Sequence, residues 1–161
     1  SVMTAGDLEV SRVLDQRSST LLRDPRGLIP MRAAQSCIVV EPGVLRGLTK
    51  GLGNTVLQVD AQPTESQIAN ILQIASDDGT VIVMAYDLNN NADQIKMIRE
   101  LVDKDIPVIV VASRNPFDAL LLPDSLTVLV TYGFNPPARE ALAEVLAGNV
   151  QPTGVLPVKL P

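Results

Sequence analysis

Val108-Ile109-Val110-Val111-Ala112-Ser113-Arg114-Asn115-Pro116-Phe117-Asp118 is the stretch that decides the fold. Its β-branched run is of strand length, and its unbroken apolarity suits a strand of a parallel sheet covered on both faces. The run then stops abruptly at polar and turn-forming residues. Side chains able to do chemistry therefore lie just past a strand's carboxyl end, the edge at which open α/β sheets hold their ligands. Thr131-Tyr132-Gly133 closes a second such run, and Pro152-Thr153-Gly154-Val155-Leu156-Pro157-Val158 follows near the end of the chain.

Outward from this stretch the sequence alternates. Apolar runs at 36–40, 55–59, 80–86, 107–113 and 126–132 have strand length, with candidate helices between them at about 43–51, 64–76, 91–104 and 136–147. The helix near Asn91 has that residue as its expected cap. Ile95, Ile98, Leu101 and Val102 form its apolar stripe, and Lys96, Arg99, Glu100 and Asp103 lie outside it. Asn135-Pro136-Pro137 is a cap and proline start for the last helix, and Gly148 is placed to end it. The expected fold is α/β, a three-layer sandwich with a mostly parallel sheet of five to six strands flanked by helices. Residues 1–33 read as an N-terminal arm or linker entering the domain, with a turn at Arg23-Asp24-Pro25-Arg26-Gly27, and 34–161 as the sandwich itself. Gly154 to Pro161 reads as an edge strand or a tail packed on the surface.

Composition agrees. The 161 residues suit one domain, which would bury roughly 70% of its unfolded surface. Hydrophobic residues make up 46% and aromatics only 2%, so the core must be aliphatic; mean hydropathy is +0.22. A net charge of −5 argues against nucleic acid, which needs clustered Lys and Arg. No apolar run approaches the ~20 residues of a membrane span. No signal-peptide pattern opens the chain, where Asp7, Glu9 and Arg12 interrupt the apolar residues. The compartment, cytoplasmic or secreted, stays open.

Several chemistries lack their residues. There is no histidine, and the single cysteine, Cys37, lies inside a strand-like run without a base to activate it. It reads as a small buried hydrophobe. Asp77-Asp78 beside Gly79 reads as a turn, and no ligand set for zinc or a redox metal exists. Val40-Glu41-Pro42-Gly43-Val44-Leu45-Arg46-Gly47 has neither G-x-G-x-x-G nor a Walker lysine, and Pro42 removes an N–H that a phosphate cradle would use. No cofactor is expected. The candidates that remain are the strand-end residues Asp87, Arg114, Asn115, Asp118 and Tyr132, which a parallel sheet would bring to one edge. Amide, hydroxyl, guanidinium and carboxylate groups suit a sugar. The structural alternative is that Asn115 and Asp118 tie their loop and Tyr132 packs beneath it.

These residues also carry a resemblance. Asp78-Gly79-Thr80-Val81-Ile82-Val83-Met84, then Gln94 with Ile95 and Ile98, Pro107 to Val111, and Asn115-Pro116-Phe117-Asp118 resemble the second domain of glycoside hydrolase family three. Tyr132-Gly133, Ala141-Leu142-Val145-Leu146 and Gly154 to Pro161 resemble that domain's ending. Ser18 to Asp24 with Leu28-Ile29-Pro30 resemble the segment that enters it. The resemblance implies a retaining glycosidase whose nucleophilic aspartate lies on an N-terminal (β/α)8 barrel. In the glucosidase-like branch the second domain supplies an acid/base glutamate from a long loop. The loop here, Asp87 to Asp93, is short and holds no Glu. That is similar to the β-N-acetylhexosaminidase branch, whose acid/base is a barrel histidine.

The resemblance thus implies an accessory domain with no catalytic residue of its own. Its partners would be that barrel and β-linked N-acetylglucosamine saccharides. Opening on Ser1, the chain is expected to be a fragment or detached subunit without glycosidase activity by itself. Two other readings stay open: a freestanding carbohydrate- or protein-binding module, and a nucleotide-binding flavodoxin-like protein.

Overall fold

The computed structural model describes residues 19–31, 37–47, 49, 51–52, 55–75, 79–113, 115–131, 133 and 135–148. Ser1–Ser18, the Asp77-Asp78 pair, Arg114, Tyr132 and the segment from Gly154 to Pro161 lie outside them. The described strands are β1 (Ser19–Arg23), β2 (Cys37–Pro42), β3 (Thr55–Val59), β4 (Thr80–Ala85), β5 (Val108–Ser113) and β6 (Thr127–Thr131). They form one sheet in the order β1-β6-β5-β4-β2-β3. Every neighbouring pair is parallel except β1 with β6, which is antiparallel.

Among the described residues three helices cover the sheet: α1 (Glu65–Ala75), α2 (Ala92–Asp103) and α3 (Pro136–Ala147). Side chains alternate along each strand, which splits the core in two. Ile38, Val40, Val81, Val83, Val108 and Val110 pack with Ile68, Ile71, Ile98 and Leu101 of α1 and α2. Val39, Ile82, Met84, Ile109, Val111 and Leu129 pack on the other face with Leu142, Val145 and Leu146 of α3. Both faces are therefore covered, and this is why β2, β4, β5 and β6 are buried at every position.

Two elements differ from the expectation. Within the stretch read as an entering arm, Ser19–Arg23 adds the antiparallel sixth strand. Its polar start hides a half-apolar strand, with Leu21 on the α3 face and Leu22 on the other. The arm is then tied down. Arg23 Nη2 donates to the carbonyls of Ala119, Leu122 and Pro123 at 3.1–3.4 Å. Asp24 accepts the Leu28 and Ile29 N–H groups at 2.7 and 3.1 Å and the Thr127 hydroxyl at 2.6 Å. The candidate helix at 43–51 is instead a 3-10 turn, Gly43–Leu45, followed by a loop. Gly47 and Gly51 there take φ of +79° and +89°, outside the helical region.

Candidate functional site

The register lines up the carboxyl ends of the parallel strands. Ser19 at the start of β1 faces Thr131, Thr131 faces Ser113, and Ala112 faces Ala85. The chain leaves β2 toward β3 and leaves β4 in the opposite direction, toward β5. Between β2 and β4 lies a topological switch point, where open α/β sheets form a crevice. Tyr86 and Asp87 follow β4 directly at this point.

The loop after β4 is held from several sides. Gln94 of α2 is fully buried; its Oε1 accepts the Tyr86 N–H at 3.0 Å. Its Nε2 donates to the carbonyls of Tyr86 at 2.9 Å and Ala61 at 2.8 Å. Asn91 does not cap α2 through its side chain. It donates to the carbonyls of Tyr86 and Asp87 at 3.2 and 2.9 Å, and so serves the loop. Asp87 is exposed, takes φ of +45°, and accepts a 2.9 Å hydrogen bond from Asn90 Nδ2.

The loop after β5 meets this one. Ser113 Oγ donates to the Ala85 carbonyl at 2.8 Å, joining the two strand ends. Asn115 caps the 3-10 helix Pro116–Leu121 by accepting the Phe117 N–H at 3.0 Å. Asp118 is 2% exposed and accepts the Leu88 N–H at 3.3 Å, with Asn115 Nδ2 at 3.5 Å from its other oxygen. Burial pushes the Asp118 carboxyl above its ordinary value; the Leu88 N–H opposes this and the nearby Asp87 adds to it. Asp87, Asn115 and Asp118 are thus brought together. Asp87 is the accessible one of the two carboxylates, Asp118 is buried, and the exposed Asn115 spends its amide on the loop itself.

Sequence reasoning gave no role to two polar side chains that shape this edge. Glu41, 1% exposed at the end of β2, accepts from Gly47 N–H and Gln58 Nε2 at 3.1 Å each and from the Thr49 hydroxyl. It folds the loop after β2 back onto the sheet. Gln94 does the same for the loop after β4. The available signal was a polar residue at a core position of an apolar pattern: Glu41 closes Ile38-Val39-Val40, and Gln94 shares the buried face of α2 with Met97, Ile98 and Leu101.

The aromatic residues are placed unevenly. The chain has two Tyr, two Phe and no Trp. Tyr86 and Phe117 follow β4 and β5 and are 38% and 44% exposed. Tyr132 and Phe134 follow β6 in sequence and lie outside the described residues. Leu120 and Leu121 extend the exposed apolar surface, and a groove of about 370 Å³ opens beside it between Leu121 and Ala92, Ile95, Lys96 and Arg99 of α2. Among the described residues no group of three His, Cys, Asp or Glu converges as metal ligands would. None of the described helices is long and apolar enough to cross a membrane.

No protein-family model and no curated protein matches the chain. Solved structures do. A glycoside hydrolase family 3 β-N-acetylglucosaminidase from Paenibacillus sp. str. FPU-7 matches with a TM-score of 0.79 at 31% identity, over 98% of this chain and 33% of that one. A fungal multi-domain family 3 β-N-acetylglucosaminidase matches with a TM-score of 0.76 at 21% identity, over 97% of this chain and 19% of that one. A β-glucosidase from Listeria innocua in complex with gluconolactone shares the fold at a TM-score of 0.71 and 14% identity, over 95% of this chain and 26% of that one. The chain therefore spans a third or less of these proteins' lengths. The TM-score of 0.79 and the 31% identity over nearly the whole chain agree with the sequence resemblance: the chain belongs to glycoside hydrolase family 3, as its C-terminal α/β domain.

Proposed function

We propose that the chain is the accessory domain of a retaining β-N-acetylhexosaminidase acting on β-linked N-acetylglucosamine glycosides, with both catalytic groups on an N-terminal barrel. The observation that carries this reading is the edge just described. Its loop from Asp87 to Asp93 is short and free of glutamate. Retaining hydrolysis needs a nucleophile and an acid/base about 5 Å apart across the scissile bond. Of the facing carboxylates here, Asp118 is buried and committed to the Leu88 N–H, which leaves Asp87 without an accessible counterpart in the adjoining loop. The edge instead offers polar and aromatic groups to a sugar whose bond is cut from the other side. Likeness to the Paenibacillus β-N-acetylglucosaminidase favours N-acetylglucosamine over glucose.

The direction of β1 supports the same arrangement. Because β1 runs antiparallel, Ser19 lies at the carboxyl edge of the other strands, the edge that carries the loops after β4 and β5. The test is turnover of a chromogenic N-acetyl-β-glucosaminide by the chain alone and by the chain joined to the sequence that precedes it. The joined protein is expected to be active and the isolated chain inert. Turnover by the pure isolated chain, abolished by a substitution within it, would overturn the reading.

A further inference from the structure

We infer that Gln94 is a positioning residue that presents Tyr86 as an aromatic platform for a pyranose ring of the substrate, an inference that rests on the function proposed above. β4 is paired with β5 as far as Ala85, which faces Ala112. Tyr86 is the first residue beyond that pairing, and the Gln94 side chain takes both its N–H and its C=O, as a neighbouring strand would. Burying an amide completely is costly unless its donors and acceptor are met. Gln94 meets them with three hydrogen bonds, two of them to Tyr86, a residue that is itself 38% exposed.

The chain then bends sharply away. Asp87 takes φ of +45°, the Asn90 N–H donates to the Asp87 carbonyl at 3.1 Å, and the Asn91 N–H to that of Leu88 at 3.2 Å. Asp118 holds the Leu88 N–H from the adjoining loop. Tyr86 is left on a fixed backbone at the topological switch point. A flat aromatic face on a rigid support suits the apolar face of a sugar ring, and few polar groups around it suffice to orient the hydroxyls.

The experiment uses the chain joined to its preceding sequence and compares Gln94→Leu, Tyr86→Ala, Tyr86→Phe and the Gln94→Leu/Tyr86→Ala double variant on a chromogenic N-acetyl-β-glucosaminide. Tyr86→Phe keeps the aromatic ring, so its KM should rise less than that of Tyr86→Ala. Tyr86→Ala and Gln94→Leu should each raise KM about tenfold with kcat little changed. Because Gln94 acts through Tyr86, the double variant should be no worse than Tyr86→Ala alone. Multiplying effects, or a Gln94→Leu that lowers kcat at constant KM, would overturn the inference.

Should Gln94→Leu fail to fold, Gln94→Glu keeps an acceptor for the Tyr86 N–H. Relative to the parent, its KM should fall as acid restores a donor, and a pH-independent KM ratio would overturn the inference. If no joined protein turns over substrate, the proposed function fails, and the isolated chain still decides the platform. It has no Trp, so in Tyr132→Phe only Tyr86 emits as a tyrosine. Its fluorescence should respond saturably to an N-acetylglucosamine trimer and lose that response when Gln94→Leu is added. No response in Tyr132→Phe, or an unaltered response in the double variant, would overturn the platform.

Discussion

Replacing Glu41 by Leu should cost the domain about 2–4 kcal/mol, while Glu41→Gln should cost less than about 1.5 kcal/mol. The difference follows from the three groups that donate to the carboxylate. Thr49 is fully buried, so without an acceptor its hydroxyl is orphaned, at about 1–3 kcal/mol. The Gly47 N–H and Gln58 Nε2 belong to exposed residues and recover water, so each loses only the part of a charge-assisted bond that water does not replace. Leu offsets some of this by not burying a charge. Gln keeps an acceptor for Gly47 and Gln58, and the Thr49 hydroxyl can turn to accept from the new amide. Urea unfolding followed by circular dichroism measures both variants, with a second probe to confirm a two-state transition. At about 2–4 °C per kcal/mol, Glu41→Leu should lower Tm by about 4–16 °C. A Glu41→Leu chain as stable as the parent, or a Glu41→Gln chain equally damaged, would refute the assignment of Glu41 as the anchor of this loop.

The carboxylates Asp118 and Asp24 should give opposite acid responses. Asp118 has a raised value when folded, so the domain gains its contribution as pH falls through that value toward the ordinary carboxylate range, and Asp118→Asn should remove that gain. For Asp24 burial pushes upward, but hydrogen bonds from Thr127, Leu28, Ile29 and Gly27 hold it below its ordinary value. Its stabilisation is present above the unfolded carboxylate value and is lost as pH falls through the folded one; Asp24→Asn should therefore weaken the domain at neutral pH and flatten its acid decline, as read by urea midpoints from pH 7 to 3. Gly148→Ala should cost about 2–4 kcal/mol in the same assay, because φ is +81° and the new Cβ would lie 2.4 Å from Pro30 Cβ. An unchanged midpoint would contradict that packing. Cys37, buried with its thiol pushed up to about 11, should react with a disulfide reagent at pH 8 only as fast as the domain opens. Immediate labelling of folded protein would place it at the surface instead.

The sheet and helices were legible because their signals are local. Continuous runs such as Val108–Val111 mark buried strands, and the stripe of α2 and the Asn135 cap of α3 mark helices. Asn135 does accept the Ala138 N–H at 2.9 Å. Less legible was whatever depends on partners distant in sequence. Ser19–Arg23 is a strand because β6, more than a hundred residues on, offers it an edge, and the polar Ser19 and Thr20 disguise it. Asn91 has a cap's chemistry, yet its amide is taken by the carbonyls of Tyr86 and Asp87. That Asp87, Asn115 and Asp118 meet at one edge followed from topology alone. The division of labour within it depends on contacts that no spacing encodes, such as Asp118 to Leu88 and Gln94 to Tyr86.

The central claim is that this domain supplies a wall of the sugar site and the chemistry comes from elsewhere. Its most direct test is kcat of the joined protein with Asp87, Asp93 and Asp118 all changed to Asn. Loss of a general acid or base costs about 10²–10⁴ in rate. A kcat within about tenfold of the parent is the predicted result; a fall of about 10³ or more would place the reacting carboxylates in this chain and contradict the account.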